Sequence, residues 1–292
     1  MMRKTVYVWP VLLLVLSAPA CNVTVPGIPL PAIPTLEVGP IQEYREEIPL
    51  EGTTAARVEV TMGIGELKVA AGEPEVLFSG IFRTNVPAWK PEVTWKDGVL
   101  RIAQPDTRGM PGPGAENEWD LALAPRVPIS LKLQVGAAKG HLDLDGLALT
   151  DFSLETGASD MVVRWDAPNP VPMDRFLLRA GAAHVEVQGI GYARPRDVQV
   201  EGGVGNLTLD FTGPWTESAR VKVTAGVGSL TLRFPRDVGV RVVVEGGLSN
   251  VTTTGNWRLS GGAYLNEAYG QAGATLEVTL TAGVGGVTLE SE

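Results

Sequence analysis

Apolar and polar residues alternate along most of the chain, and one small-residue triplet keeps interrupting the alternation. Val58, Val60 and Met62 precede Gly63-Ile64-Gly65, and Leu67 and Val69 follow it. The same arrangement surrounds Gly136-Ala137-Ala138, Gly157-Ala158-Ser159, Gly181-Ala182-Ala183 and Gly203-Val204-Gly205. It returns around Gly226-Val227-Gly228, Gly247-Leu248-Ser249 and Gly283-Val284-Gly285. Positions one, three and five before each leading glycine are apolar or small, as in Leu131, Leu133 and Val135. A period of two marks strands. The residues between them form the other face. After the triplets they run Lys68, Asp143, Val162, Glu186, Thr208, Thr231, Thr252 and Thr288, a face that should meet water.

From Gly136 to Gly247 the triplet recurs every 21 to 24 residues. Two short strands per repeat cannot bury an apolar face alone, whereas parallel stacking of repeats can. The prediction is an all-β parallel β-helix, or β-solenoid, of ~22-residue turns with glycine corners at Gly63, Gly136, Gly157, Gly181, Gly203, Gly226, Gly247 and Gly283. Small residues suit a corner because glycine reaches backbone angles that a Cβ forbids, and because stacked rungs lie only ~4.8 Å apart. Eight corners at that spacing span roughly 38 Å. The competing arrangement is an antiparallel β-sandwich, which explains the alternation but not the recurring triplet.

Two insertions break the rhythm. Residues 73–130 hold an apolar run from Val76 to Phe82, a Lys96-Asp97-Gly98 hairpin signal and a strand-like Trp119-Asp120-Leu121. Residues 254–275 carry Trp257, Tyr264 and Tyr269. A solenoid end exposes unpaired strand edges, so these blocks are expected to cap the two ends.

The N-terminus supplies an address. Arg3 and Lys4 precede an apolar stretch from Val6 to Leu16, then Ser17-Ala18-Pro19-Ala20-Cys21. That is the layout of a secretory signal, too short for a membrane span of ~20 apolar residues. Cys21, the only cysteine, sits where a bacterial lipoprotein carries its lipid. Prolines every few residues after it make a semi-rigid spacer. The expected organisation is a signal peptide at 1–20, a lipid-anchored Pro-rich linker at 21–42, a β cap with the first turn at 43–130, and the solenoid at 131–292. An extracytoplasmic protein tethered to a bacterial membrane follows.

Composition excludes several functions. One cysteine leaves no internal disulfide and no cysteine-built zinc site. A net charge of −9 gives no basic footprint for nucleic acid. No Gly-rich segment has phosphate-loop spacing or opens a helical pattern. Asp143, Asp145, Asp160 and Asp166 invite a Ca²⁺ or polysaccharide-cleaving reading, but Asp143 alternates with Leu142 and Leu144 as an outward strand residue does. His141 and His184 fall near different corners. No catalytic residue, metal site or cofactor is expected.

The Gly-Ala-Ser and Gly-Val-Gly corners, joined by Asn117-Glu118-Trp119-Asp120-Leu121 and by Ala263-Tyr264-Leu265-Asn266-Glu267-Ala268-Tyr269, resemble the toast-rack family of bacterial extracytoplasmic proteins. The resemblance covers residues 41–292. It implies a parallel β-solenoid at the cell envelope, akin to adhesin-like solenoids and to the C-terminal domains of cell-wall-stress regulators, and it carries over no catalytic residue.

The leading expectation is therefore a non-catalytic envelope module that binds an unidentified envelope protein or glycan. Trp119, Trp257, Tyr264 and Tyr269 are the candidate partner contacts. Leu177, Val162 and Val243 form a candidate apolar patch. The alternatives are a carbohydrate-binding or carbohydrate-cleaving β-helix, and self-association through exposed strand edges.

Overall fold

The computed structural model describes residues 34–292 except 108 and 247–249. Cys21, the 1–20 signal, most of the 21–42 linker and the Gly247 corner lie outside the described residues. Residues 34–292 form one compact unit.

Along the chain come β1 (Thr35–Leu36), β2 (Gln42–Pro49), β3 (Ala56–Ala71), β4 (Val76–Thr84), β5 (Glu92–Lys96) and β6 (Val99–Ala103). Next are β7 (Met110–Pro111), β8 (Asn117–Leu123), β9 (Pro128–Asp143), β10 (Ala148–Arg164) and β11 (Met173–Gln188), then a single helical turn, α1 (Ile190–Ala193). The remainder are β12 (Pro195–Asp210), β13 (Ala219–Phe234), β14 (Gly239–Glu245), β15 (Asn250–Thr254), β16 (Trp257–Ser260), β17 (Ala263–Asn266) and β18 (Thr275–Ser291).

Each long strand runs through its triplet without ending. Buried residues fall on even numbers before the first corner (Val58, Val60, Met62) and on odd numbers after it (Leu67, Val69). This slip of one residue turns the strand so that both halves face a common core. Two walls result, one before the corners and one after them. β3, β9, β10, β11, β12, β13 and β18 stack in parallel and in register. Val58, Leu131, Phe152, Phe176, Val198, Val221 and Val278 line up inside the first wall. Each such side chain contributes roughly 1.5–3 kcal/mol on burial. The parallel solenoid is the observed fold.

Of the two reasons expected for the leading corner glycine, the tight spacing of stacked rungs holds and the unusual backbone angle does not. Its φ is not positive at any described corner. Instead, a Cβ on Gly136 would lie 2.3 Å from the carbonyl oxygen of Gly63, and one on Gly226 would lie 2.3 Å from that of Gly203. Close backbone approach between rungs therefore excludes a side chain. Positive φ belongs to the third corner position, as at Gly228 (φ 138°).

The stacking order is not the chain order. β18 pairs with β13 on one side and with β14 and β15 on the other, so the last strand inserts between the two preceding rungs. At the opposite end β6 and β8 lie outside β3, although β3 comes first in the chain. Charge favours both arrangements. Chain order would set Arg241 of β14 beside Arg220 of β13. Insertion puts Glu277 between them, with Arg241 Nη1 3.3 Å from Glu277 Oε2. Likewise Glu59 lies between Arg101 and Lys132, and Arg101 Nε bonds Glu59 Oε2 at 3.0 Å. Opposite charges across strands each contribute roughly 0.2–1 kcal/mol, and like charges cost a similar amount.

Shorter strands, antiparallel among themselves, extend the walls at the ends. β2, β4 and β8 cover one wall at the N-terminal end, and the β5–β6 hairpin covers the other. Asp97 and Gly98 both have positive φ in that hairpin turn, as a type I′ turn demands. At the C-terminal end β17 and β16 extend the first wall beyond β14. The inserted 73–130 segment is thus strand and cap along most of its length, not a free loop. No helix among the described residues is long and apolar enough to cross a membrane.

Candidate functional site

Outward side chains form ranks along the rod. On the wall before the corners Asp151, Arg175, Asp197, Arg220, Glu277 and Arg241 stand in successive rungs, alternating in sign throughout. Arg179 is held between Glu155 and Glu201 at 3.5 and 3.2 Å. These exposed pairs are structural dress for a parallel stack, because each partner is supplied by the neighbouring rung.

The wall after the corners divides in two. In β9, β10 and β11 its two ranks nearest the corner read Lys139, Asp160, His184 and His141, Val162, Glu186. In β12, β13 and β18 they read Asn206, Ser229, Gly286 and Thr208, Thr231, Thr288. Thr252 of β15 continues the threonine rank beyond Thr288. Beside these ranks, at the corner itself, stand Val204, Val227 and Val284, exposed by 58%, 51% and 55%. Ala137, Ala158 and Ala182 hold the same place in the earlier rungs. The C-terminal half therefore presents valine, amide or hydroxyl, and threonine side by side with no charge among them. Beyond the threonines the charges resume: Asp210, Arg233 and Glu290 stand in register, with Arg233 Nε 2.9 Å from Glu290 Oε2. The Arg233 guanidinium is held above its usual pKa, chiefly by its bond to Glu290.

Identity follows from the match. The model of the toast-rack N-terminal domain (Toast_rack_N) matches residues 37–188 and 168–233, well over half the chain. The chain belongs to the toast-rack family. No curated protein matches it. Among solved structures, this toast-rack chain is similar to a candidate cell-adhesion protein from Clostridium sporogenes, with 24% identity and a TM-score of 0.48 over 87% of this chain and 100% of that one. It is also similar to a candidate adhesin from Bacteroides fragilis, with 10% identity and a TM-score of 0.43 over 87% and 99%. A third is a candidate lipid-binding protein from Parabacteroides distasonis, with 9% identity and a TM-score of 0.36 over 87% and 98%.

Of the aromatic candidates in this toast-rack chain Trp119 is buried, whereas Trp257, Tyr264 and Tyr269 are half-buried at the surface. Trp119 is buried, stands edge-on to Phe82 at 5.3 Å and donates Nε1–H to Asn117 Oδ1. It has no face to offer a partner. Trp257 packs edge-on against Phe234 at 5.9 Å and donates to the Thr254 carbonyl. Tyr264 lies against the core, and Tyr269 bonds Glu277 Oε1 at 3.3 Å. The leading corner glycines Gly63, Gly136, Gly157, Gly181, Gly203, Gly226 and Gly283 stack on one another.

One register assignment needs correction. Asp143 does not share a rank with Lys68: His141 does, and Asp143 faces Arg164, which bonds it at 2.8 Å. A period of two cannot distinguish registers that differ by two residues. The acids Asp143 and Asp145 are therefore engaged with Arg164 and with the backbone N–H groups of Asp166 and Ala167. No group of three or more metal-ligating side chains is assembled among the described residues. Leu177, Val162 and Val243 make no patch, because Val162 is on the opposite wall and Leu177 and Val243 are several rungs apart.

The sequence showed the threonine rank as a water-facing row, but the exposed valines that stand beside it were missed. Their signal was the change of the middle corner residue from alanine to valine at Val204, together with threonine in the same place of each later rung.

Proposed function

We propose that this chain is a non-catalytic module of the bacterial cell envelope, secreted, lipid-anchored through Cys21, and serving adhesion or envelope sensing by binding a partner. The single observation that carries the binding reading is the uncharged strip of Val204, Val227 and Val284 beside Asn206, Ser229, Thr208, Thr231 and Thr288. Exposed apolar residues in a contiguous rank, rimmed by polar groups, mark interaction sites. Rigid strands hold the hydroxyls at fixed spacing, so the ordering cost of binding is small. The residues expected of a reaction, a polarised nucleophile or a convergent acid and base, have no counterpart in this strip.

The test uses the anchored chain in intact cells. A photo-crosslinking side chain at Val227 or Thr231 is expected to capture an envelope protein or glycan, while the same group at Lys132 on the other wall captures none. Equal capture at both places, or none at Val227, overturns the reading. Release of reducing ends from envelope polysaccharide would instead establish the cleaving alternative.

A further inference from the structure

The two walls end unevenly at the C-terminal end of the rod. Before the corner, β17 and then β16 extend the wall two strands beyond β14. After the corner, the wall stops at β15, which pairs only with β18 among the described strands. A step two strands deep remains on that side.

The step is lined for a strand. β15 reads Asn250-Val251-Thr252-Thr253-Thr254, with no charge and no proline. Outer strands elsewhere are protected in the manner expected of edges. β2 carries Glu43, Arg45, Glu46, Glu47 and Pro49, and β5 carries Glu92 and Lys96. Across the step lies a second sign. Leu259 of β16 faces Tyr264, which faces Val242 of the core, so Leu259 is on the core-facing side of its wall. It is nevertheless 66% exposed, because no opposing strand covers it. Thr253 is likewise core-facing, opposite Leu289, and exposed.

We propose that a second copy of this chain fills the step, joining two rods end to end about a twofold axis. The shapes are reciprocal: the hairpin that overhangs one wall is two strands thick, and the step on the other wall is two strands deep. Directions agree as well. β15 runs away from the corner, while β16 runs in the same sense as β14, towards it. A twofold axis on the corner side sets β16 of each copy antiparallel to β15 of the other, an isologous contact made twice. Leu259 and Tyr264 of both copies then close one continuous core. The uncharged edge meets no like charge in the pairing. The chain's own 22–33 segment fits the step poorly, since its prolines remove the N–H groups a ladder needs.

The experiment is sedimentation equilibrium of residues 34–292, the compact unit that holds the whole described core and both caps. The expected mass is twice that of one chain. Leu259→Glu and Thr253→Lys place a charge on the inner side of the contact and are expected to weaken dimerisation about 30-fold or more. Both positions are exposed in the single chain, so circular dichroism and the melting midpoint of the monomer should not move. A monomer at every concentration reached overturns the proposal. So does a dimer that survives both substitutions, or one abolished by Val227→Lys but not by Leu259→Glu. A foreign peptide that protects the β15 amides of a monomeric head would assign the step to another chain and overturn self-pairing.

Discussion

Rungs β9, β10 and β11 and rungs β12, β13 and β18 share one backbone plan but are finished differently. The first three have corners Gly-Ala-Ala, Gly-Ala-Ser and Gly-Ala-Ala and a charged outer wall. The last three have Gly-Val-Gly at every corner and a wall of threonine. The core behind them is equally apolar, so burial does not account for the difference. It lies in the outward residues and in the third corner position. Gly205, Gly228 and Gly285 have φ of 135°, 138° and 148°, whereas Ala138, Ser159 and Ala183 are not in that region. The later corner takes a backbone form available only to glycine, and that form carries the exposed valine. Surface and corner change together between β11 and β12, whereas in β3 the same glycine form, at Gly65 (φ 148°), stands beside the charged Glu66 and Lys68.

The largest expected effect tests the corner. A Cβ on residue 228 would lie 1.8 Å from the Gly205 carbonyl oxygen, at a φ that side chains rarely adopt. Gly228→Ala should therefore cost more than about 4 kcal/mol or prevent folding, in the range reserved for backbone strain and overpacking. Ala183→Gly, at the equivalent place in the earlier rungs, should cost only about 0.5–1 kcal/mol. Urea unfolding of both variants decides the matter. Equal losses would mean that the two corner types are one.

A smaller effect is expected from charge. Glu277→Arg would place three arginines in consecutive rungs, Arg220, the new side chain and Arg241. Two favourable pairs become two repulsive ones, so the loss should be about 1 kcal/mol. Adding Arg241→Glu should restore part of it. The same charge placed at Thr231 stands directly between the uncharged Thr208 and Thr288 and should change stability by less than about 0.5 kcal/mol. A lowered urea midpoint for Thr231→Arg equal to that of Glu277→Arg would remove the distinction between the two walls.

Much of this fold is written in the alternation. Val58, Val60 and Met62 against Leu67 and Val69 contain the phase slip at the corner, and the triplets mark every described rung of the long-strand stack. The order of the rungs was less visible, because repeats that look alike do not say which neighbours which. The charges of Arg220, Arg241 and Glu277 hold that information, but only once ranks are aligned. Asp143 shows the remaining difficulty: Leu142 and Leu144 fix its face and leave its rank open by two residues. Among the aromatic candidates, the burial of Trp119 has a physical reason that its residue type hides. Trp119 belongs to an antiparallel cap whose inner side fills the end of the core, and residue type alone does not separate an end plug from a binding platform.

The smallest effect separates the two regions by pH. In the N-terminal cap Glu43 is held below its usual pKa, first by its hydrogen bond to Arg45 and then by Arg83. Arg83 Nε lies 2.9 Å from Glu43 Oε2, and Arg83 Nη1 lies 2.9 Å from Asp120 Oδ2, so one guanidinium links β2, β4 and β8. A carboxylate with a lowered native pKa adds stability that is present above its unfolded pKa. That contribution is lost as pH falls through the native value. Acid should therefore loosen β2 first, in the range below 4.5. The β13 and β18 amides behind the threonine rank have no carboxylate in that rank or in the Asn206, Ser229 and Gly286 rank on its corner side; Glu290, on the far side, is paired with Arg233. Hydrogen exchange, corrected for the intrinsic rate at each pH, should show growing opening at β2 and β4 while β13 and β18 stay protected. The pair is solvent-exposed and screened by salt, so the difference should shrink at high ionic strength. Opening that spreads evenly over both regions, or that ignores salt, would show that the charged and uncharged halves are not held by different forces.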